Sequence, residues 1–492
     1  AANKTMGQGG FQEVEQMNLF KDMVCYQEEV RDPSRMAEVL NRVIEKAIRG
    51  SAPAQINVPR DYWTQVIDIE LPPIVRLERQ AGGTEAISKA AELLSNAKFP
   101  VILSGAGVVI GGAINDCVKL AEKLDSPVCS GYQHNDSFPG SHPLAVGPLG
   151  YNGSKAAMEL IAKADVVLAL GTRLNPFSTL PGYGIDYWPK DAKIIQVDMN
   201  SDRIGLTKKV TVAICGDAKM VSQQLLAKLS SKAGDTDRQK RKDLIHQTKS
   251  SWLQKLSSLD HEEDDPGTVW NKEARERDKD RMSPRQAWRA IQSGMPEDVI
   301  ISSDIGNNCA IGNAYPTFEK GRKYLAPGLF GPCGYGFPAI LGAKIGCPDT
   351  PVIGFAGDGA FGISMNEMSS CARKEWPAIT MVIFRNYQWG AEKRNSILWF
   401  DDNFVGTELD PELSYAKVAD ACGLKGVTVK TMDETTKAIK QSCEDQKKGI
   451  TTFIEVILNQ ELGDPFRRDA MKKPVTVAGI KKEDMKPQKS LN

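Results

Sequence analysis

Hydrophobic and polar positions follow a helical period and then a strand pattern near the start of the chain. From Met36 to Ile48 the apolar residues recur every three or four positions, which predicts an amphipathic helix that ends at Gly50. The next stretch, Ala54 to Val58, predicts a strand that Pro59 closes. A helix followed by a strand is half of an α/β unit.

The same alternation continues through the rest of the chain. Short apolar runs predict buried strands at 100–103, 165–171, 193–198, 298–304, 351–356, 379–384 and 452–457. Helical patterns predict helices at 86–97 and 364–374, and Ser283-Pro284 predicts a further helix start, with serine as the N-cap. Continuous apolar strands between helices are typical of parallel sheets covered on both faces, so we expect an α/β protein.

Breaks in this pattern suggest three domains. Residues 1–70 form one α/β region, 82–230 a second and 283–470 a third, with a tail at 471–492. Residues 231–282 are rich in charged side chains, and we interpret them as a solvated helical linker.

Composition and charge exclude several classes of protein. The 492 residues carry 62 basic and 62 acidic side chains, so the chain as a whole does not attract nucleic acid or an anionic membrane. The basic cluster at 238–242 leaves nucleic-acid binding as a minor alternative, because acidic residues soon follow it. The ten cysteines show no metal-binding spacing and are typical of a reduced cytoplasmic protein, and no apolar run is long enough to predict a membrane span.

Candidate chemistry lies at the ends of two consecutive predicted strands. One strand runs into Gly357-Asp358-Gly359-Ala360, and the next ends at Asn386-Tyr387-Gln388. In a parallel sheet both ends lie on the carboxyl edge, so Asp358 and Asn386 can converge there. A carboxylate, an amide oxygen and a backbone carbonyl are hard ligands that suit Mg²⁺ bound to phosphate. Two ordinary turns are the alternative interpretation.

Gly-Asp-Gly followed about thirty residues later by Asn resembles the cofactor signature of thiamine-diphosphate-dependent enzymes, a family that includes acetolactate synthase. The resemblance implies thiamine diphosphate, with Mg²⁺ held by Asp358, Asn386 and the carbonyl of Gln388. The second Asn of the family pattern is Tyr387 here. The cofactor-binding residues that the resemblance implies are Gly306, Asn307, Asn308, Cys333, Gly357, Asp358, Gly359, Ala360 and Asn386. Cys333 aligns with the residue that supports the bent cofactor and is smaller than usual there.

Several longer stretches resemble the sulfoacetaldehyde acetyltransferases within this family. They are 9–13, 134–139, 147–151, 388–393 and 461–470. The likeness implies that sulfoacetaldehyde and phosphate are converted to acetyl phosphate and sulfite. Two anionic substrates need cationic surroundings, and the candidates for contact with them are Lys393, Arg394, Arg467 and Arg468, with Gln12 as a weaker one. Solvated surface charge is the alternative for each cation.

The resemblance also bears on the ends of the chain and on its assembly. Residues 1–70 match the C-terminal half of the family's pyrimidine-binding domain, so we expect an N-terminally incomplete first domain that lacks the activating glutamate. The family implies a homodimer or homotetramer. From charge and hydropathy we expect no membrane or nucleic-acid partner, and no residue supports a FAD site. Two alternatives stay open: a pyruvate carboligase like acetolactate synthase, and a chain that binds cofactor without turnover.

Overall fold

The computed structural model describes residues 2–73, 78–230, 235–258, 276–328, 330–399 and 404–462. The chain divides into two compact units, residues 1–79 and 80–492. All paired strands in the described residues run parallel, and helices flank them, so the predicted α/β class is confirmed. The predicted domain boundaries stay predictions.

The first unit contains a small parallel sheet and one long helix. Strands β1 (Tyr26–Glu29) and β2 (Ala54–Asn57) pair with Tyr26 opposite Ala54. The helices are α1 (Gln16–Phe20) and α2 (Met36–Gly50). Helix α2 buries Val39 and Val43 against the sheet, as its apolar period predicts, and the chain leaves it through Ser51 in a left-handed conformation. The helix and strand predicted here are confirmed.

The second unit begins with a six-stranded sheet. Its strands are β3 (Pro100–Ser104), β4 (Val128–Ser130), β5 (Ala145–Pro148), β6 (Val166–Leu170), β7 (Lys193–Asp198) and β8 (Val212–Cys215), in the order β5-β4-β3-β6-β7-β8. The helices around it are α3 (Thr84–Asn96), α4 (Ala106–Gly111), α5 (Ile114–Leu124), α6 (Lys155–Ile161) and α7 (Ala218–Lys228). The central strands β3 and β6 are buried along their whole length, which explains their uninterrupted apolar sequence.

Helix α8 (Asp235–Ser258) occupies part of the predicted linker. Its outer face is solvated as expected, but Ile245, Trp252 and Leu256 are buried, so the helix is packed and not only a spacer. The basic cluster on it is partly neutralised, because Arg238 and Lys242 both form ion pairs with the buried carboxylate of Asp125.

A second six-stranded sheet follows in the same unit. Its strands are β9 (Ile300–Ser303), β10 (Tyr324–Leu325), β11 (Val352–Gly357), β12 (Thr380–Arg385), β13 (Lys425–Val429) and β14 (Thr452–Ile457), in the order β10-β9-β11-β12-β14-β13. The helices are α9 (Pro284–Gly294), α10 (Asn307–Ile311), α11 (Gly336–Gly346), α12 (Asp358–Ser364), α13 (Met368–Cys371), α14 (Gly390–Trp399), α15 (Tyr415–Ala421) and α16 (Met432–Lys447). Strands β9, β11 and β12 are neighbours, so their carboxyl ends lie side by side.

One predicted helix is wrong at its start. The pattern predicts a helix at 364–374, whereas α12 begins at Asp358 and short helical turns continue to Cys371. Gly357 is extended and ends strand β11, and the backbone enters the helix at the next residue. The glycines and alanine of 357–360 carry too few side-chain atoms to show a helical period, so the sequence hides the first turn.

Among the described residues, none of the helices combines the length and the apolar character that crossing a membrane requires.

Candidate active site at the carboxyl edge of the second sheet

Segments that follow strands β9, β10, β11 and β12 enclose an open cleft of about 240 Å³. All the residues predicted to hold cofactor or metal line it: Gly306, Asn307, Asn308, Cys333, Gly357, Asp358, Gly359, Ala360, Asn386 and Gln388. They come from four separate stretches of sequence. The parallel sheet brings them together because its strand ends share one edge.

The turn from β11 into α12 forms one wall of the cleft. A Cβ atom on Gly359 would lie 2.9 Å from the ring of Trp389, so only glycine allows the indole to lie on this turn. Trp389 itself lines the cleft. Gly359 is therefore needed for close packing, whereas a Cβ atom on Gly357 would meet nothing within 4 Å.

Asp358 is buried beneath this turn. Its Oδ2 accepts hydrogen bonds from Arg385 Nη1 at 3.1 Å and from the Tyr387 N–H at 2.6 Å. Its Oδ1 accepts one from the Gly359 N–H at 3.0 Å. Burial raises the pKa of this carboxyl group to about 6, while the charge of Arg385 and the N–H donors act in the opposite direction.

Asn386 and Gln388 present oxygen atoms that the protein leaves unpaired. The side-chain Oδ1 of Asn386 is buried and has no hydrogen-bond partner among the described residues. Gln388 forms an antiparallel bridge with Glu408. The hydrogen bonds of this bridge run from the Trp389 N–H to the Thr407 carbonyl and from the Leu409 N–H to the Tyr387 carbonyl, so among the described residues the backbone carbonyl of Gln388 accepts none. Buried oxygens without donors are expected where a cation binds.

This donor set fits magnesium. One carboxylate, one amide oxygen and one carbonyl leave an octahedron to be completed by phosphate oxygens and water. The described residues contain no cluster of three or more His, Cys, Asp or Glu side chains, so an all-protein metal cage is not the alternative within them. The predicted ligands Asp358, Asn386 and Gln388 therefore suit a cation that arrives together with a diphosphate.

The loop after β9 forms the opposite wall. Gly306 has φ 121°, a backbone conformation that side-chain-bearing residues rarely adopt. Helix α10 starts directly after it, and buried side-chain atoms of Asn307 (Nδ2 and Oδ1) and Asn308 (Oδ1) have no partner in the described chain. The loop thus offers an unpaired amide donor and two amide oxygens at the place predicted to contact diphosphate.

Asp304 joins this loop to the segment that carries Cys333. Its carboxylate accepts hydrogen bonds from the N–H groups of Ile305 (2.8 Å), Gly334 (3.1 Å) and Gly336 (2.7 Å). The Cys333 side chain lines the cleft, and partial burial raises the pKa of its thiol. The structure therefore fixes the backbone beside Cys333, while its role as the support of the cofactor stays a prediction.

The predicted substrate contacts lie elsewhere. Lys393 is buried and donates to Glu408 and to Gln460 Oε1, the latter at 3.1 Å. Arg394 is buried beside Tyr151, donates to its hydroxyl oxygen and lies 5.3 Å from the centre of its ring. Neither residue lines the cleft. Gln12 is exposed in the unit of residues 1–79, and Arg467 and Arg468 lie outside the described residues.

Two residues that contact the predicted metal ligands are not predicted from the sequence. Arg385, at the end of strand β12, binds Asp358, and Gln460 donates from Nε2 to the Asn386 carbonyl at 3.1 Å. A charged residue at the buried end of an apolar strand is a signal that could have identified Arg385. Gln460 follows strand β14 at the same sheet edge, but nothing in its neighbourhood distinguishes it from an ordinary loop residue.

Family models match two long segments of the chain. Residues 87–225 match the central domain of thiamine pyrophosphate enzymes, and residues 304–456 match their C-terminal domain, described as binding thiamine pyrophosphate. The second match contains every residue predicted to bind cofactor or metal. Thiamine pyrophosphate is the same compound as thiamine diphosphate.

Relatives that match nearly all of this chain agree with these family models. The chain is 76% identical over 491 residues to a probable sulfoacetaldehyde acetyltransferase of Rhizobium meliloti, covering 100% of this chain and 83% of the relative. It is 74% identical to a sulfoacetaldehyde acetyltransferase of Roseovarius nubinhibens, covering 99% and 81%. A probable acetolactate synthase large subunit of Methanocaldococcus jannaschii is 30% identical over 89% of this chain and 73% of its own length.

Proposed function

Because the chain belongs to the sulfoacetaldehyde acetyltransferase family of thiamine pyrophosphate enzymes, we propose that it converts sulfoacetaldehyde and phosphate into acetyl phosphate and sulfite. The observation that carries the proposal is the convergence of Asp358, Asn386 and the Gln388 carbonyl at one cleft. Two of these oxygens have no partner in the described chain. A site of this composition is complete only with a cation and its diphosphate.

The proposed metal ligands are Asp358, Asn386 and the carbonyl of Gln388. When bound, thiamine diphosphate supplies a carbon nucleophile and an electron sink. The chain supplies position. The Arg385 guanidinium and the Tyr387 N–H hold Asp358 by Oδ2 and leave Oδ1 only the Gly359 N–H. The Gln460 side chain donates a hydrogen bond to the backbone carbonyl of Asn386. This bond fixes the backbone that carries the Asn386 side-chain oxygen.

The opposite wall is proposed to hold the diphosphate and the organic part of the cofactor. Gly306 lets the backbone turn sharply beside the cleft, and Asn307 and Asn308 offer unpaired amide atoms. Cys333 is proposed as the support of the cofactor, because its segment is fixed by Asp304 and its sulfur is polarizable.

A reaction assay tests this function. The full-length protein is mixed with sulfoacetaldehyde, phosphate, thiamine diphosphate and Mg²⁺, and sulfite and acetyl phosphate are measured. We expect equal amounts of both products, no product when cofactor or metal is omitted, and no sustained turnover when phosphate is omitted. Asp358→Asn, which keeps the shape of the side chain and removes its charge, is expected to abolish turnover.

The same assay, repeated with pyruvate as the substrate, separates the alternatives. Pyruvate consumption with release of carbon dioxide, in place of sulfite, would establish a carboligase like the acetolactate synthases. Cofactor binding in calorimetry with no product from either substrate would establish a binding chain without turnover. Either result overturns the proposal.

We also propose assembly into a homodimer or homotetramer in the cytoplasm. Large apolar side chains are exposed on segments next to the cleft, at Phe330, Ile363 and Val405, which supports a covered surface there. All ten cysteines are free thiols, which supports a reducing compartment. Light scattering tests the assembly, and a monomer near 54 kDa for the 492 residues contradicts it.

A further inference from the structure

Tyr387 occupies a backbone conformation that does not suit its side chain. Its φ is 60°, in the left-handed region that glycine and asparagine tolerate and that bulky residues rarely adopt. A large aromatic residue in this conformation therefore needs compensating contacts, since the local propensity of the chain disfavours it.

Two guanidinium groups supply such contacts. The guanidinium of Arg385 lies 4.2 Å from the centre of the Tyr387 ring, and that of Arg281 lies 5.0 Å from it. Both distances are within the range of a cation–π interaction. Arg385 is buried at the end of strand β12, so at that contact the ring meets a poorly solvated charge.

Arg281 reaches this position from a distant part of the chain. It lies just before helix α9 and pairs with the buried carboxylate of Asp278 at 3.1 Å. The next residue, Met282, accepts a hydrogen bond from the Asn459 N–H at 2.8 Å and bridges to Leu458. The segment that carries Arg281 is thereby fixed at the same sheet edge as the cleft.

The backbone of Tyr387 acts on the proposed metal ligand. Its N–H donates to Asp358 Oδ2, the oxygen that also accepts from Arg385. If the Tyr387 backbone relaxed out of the left-handed conformation, this donor would turn away and the carboxylate would lose one of the two bonds to Oδ2. The ring contacts, the backbone conformation and the orientation of Asp358 are therefore one connected arrangement.

We infer that Tyr387 is a positioning residue for the magnesium site, clamped between Arg281 and Arg385 so that its N–H holds Asp358 in the orientation that binds metal. The inference rests on the proposed function, because it needs Mg²⁺ and thiamine diphosphate to bind in this cleft.

The test is magnesium affinity in the presence of saturating thiamine diphosphate, measured on the full-length protein. Trp389 lies in the cleft, so its fluorescence reports binding without turnover, and calorimetry gives an independent value. The variants are Tyr387→Phe, Tyr387→Ala, Arg281→Gln and the control Arg277→Gln. Arg277 pairs with the same Asp278 carboxylate but makes no contact with the Tyr387 ring.

The expected results differ between these variants. Tyr387→Phe keeps the ring and should stay within about twofold of the wild type. Tyr387→Ala should weaken magnesium binding by about tenfold or more, and Arg281→Gln by about threefold to tenfold, as the loss of a cation–π contact implies. Arg277→Gln should leave magnesium affinity unchanged, although it loses an ion pair to the same carboxylate.

Two outcomes overturn the inference and can be told apart. If the wild type binds cofactor and metal while Tyr387→Ala and Arg281→Gln bind magnesium equally well, the clamp has no positioning role. If the wild type itself binds neither, the proposed function fails first. Arg281 is partly exposed and its replacement should fold, so loss of stability in Tyr387→Ala would not hide the answer.

Discussion

Asn386 shows at the residue scale what the structure adds to a motif. The sequence identifies it as the residue after a strand, and the structure shows its oxygen buried and unpaired among the described residues. A buried amide oxygen without a donor is costly unless a ligand supplies the missing interaction. The same reasoning applies to the Gln388 carbonyl, and both atoms argue for a bound cation.

Asn386→Ala should therefore weaken magnesium-dependent cofactor binding while sparing the fold. We expect affinity to fall by about tenfold or more, since one inner ligand is lost, and the melting temperature of the cofactor-free protein to stay nearly constant. Calorimetry and thermal unfolding check the two expectations. Asn366→Ala, at an exposed asparagine, is the control. Unchanged cofactor binding in Asn386→Ala would remove Asn386 from the ligand set.

Lys393→Met distinguishes two roles for the buried lysine. Its Nζ contacts Glu408 and Gln460, and Gln460 in turn holds the Asn386 carbonyl. If Lys393 acts through this chain, cofactor affinity falls while KM for phosphate changes little. If it contacts an anionic substrate, KM for phosphate rises at least about tenfold with cofactor affinity unchanged. We expect the first result, with the exposed Lys437→Met as the control.

Elements position these residues because their ends are well defined. Strand β11 passes into helix α12 without a loop, which brings Asp358 to the sheet edge. Helix α9 begins with a capping box in which Ser283 accepts from the Gln286 N–H and Gln286 Oε1 accepts from the Ser283 N–H. This cap follows directly on the segment of Arg281, so it also fixes the backbone next to that arginine.

Ser283→Ala tests the importance of that cap. Loss of the side-chain acceptor should lower the free energy of unfolding by about 1 kcal/mol, within the usual range for an N-cap serine. Urea denaturation measures the change. Ser293→Ala in the same helix removes an exposed hydroxyl that donates to the Arg289 carbonyl and should change stability by less than about 0.5 kcal/mol. An equal effect of both variants would argue against the cap.

At the scale of the whole molecule, helix α8 contributes side chains to the cores of both six-stranded sheets. Ile245 belongs to the core around the first sheet, whereas Trp252 and Leu256 belong to the core around the second. Trp252 also lies 5.5 Å, between ring centres, from Tyr183. The charged composition of 231–282 does not reveal this packing, because a helix needs only a few apolar side chains on one face to pack against a core.

Trp252→Ala should consequently destabilise the protein far more than a change on the outer face. Removal of a buried tryptophan costs about 3–5 kcal/mol, while loss of the neighbouring exposed Leu253 should cost less than about 0.5 kcal/mol. Urea denaturation of both variants measures the difference. Similar midpoints for Trp252→Ala and Leu253→Ala would show that α8 is a spacer after all.

The sequence alone predicts many of the strands and the residues that line the cleft. Strands β7 and β14 lie where the apolar runs predict them, at Lys193–Asp198 and Thr452–Ile457. The sequence pattern does not predict strands β4 and β8, because three or four residues are too few to show a period. The residues of the cleft could be identified because strand ends in a parallel sheet share an edge, a rule that needs no knowledge of side-chain partners.

The sequence by itself therefore determined the α/β class, the strand ends and the oxygen atoms available for magnesium, since these depend on local periodicity and on chemical type. Only the tertiary structure decided which partners those atoms have. Arg385 meets Asp358 across 27 residues, and Gln460 meets Asn386 across 74. It also placed Lys393 against Gln460 and not in the cleft, and it clamped Tyr387 between two arginines. Such choices depend on contacts between distant segments, and no local pattern encodes them.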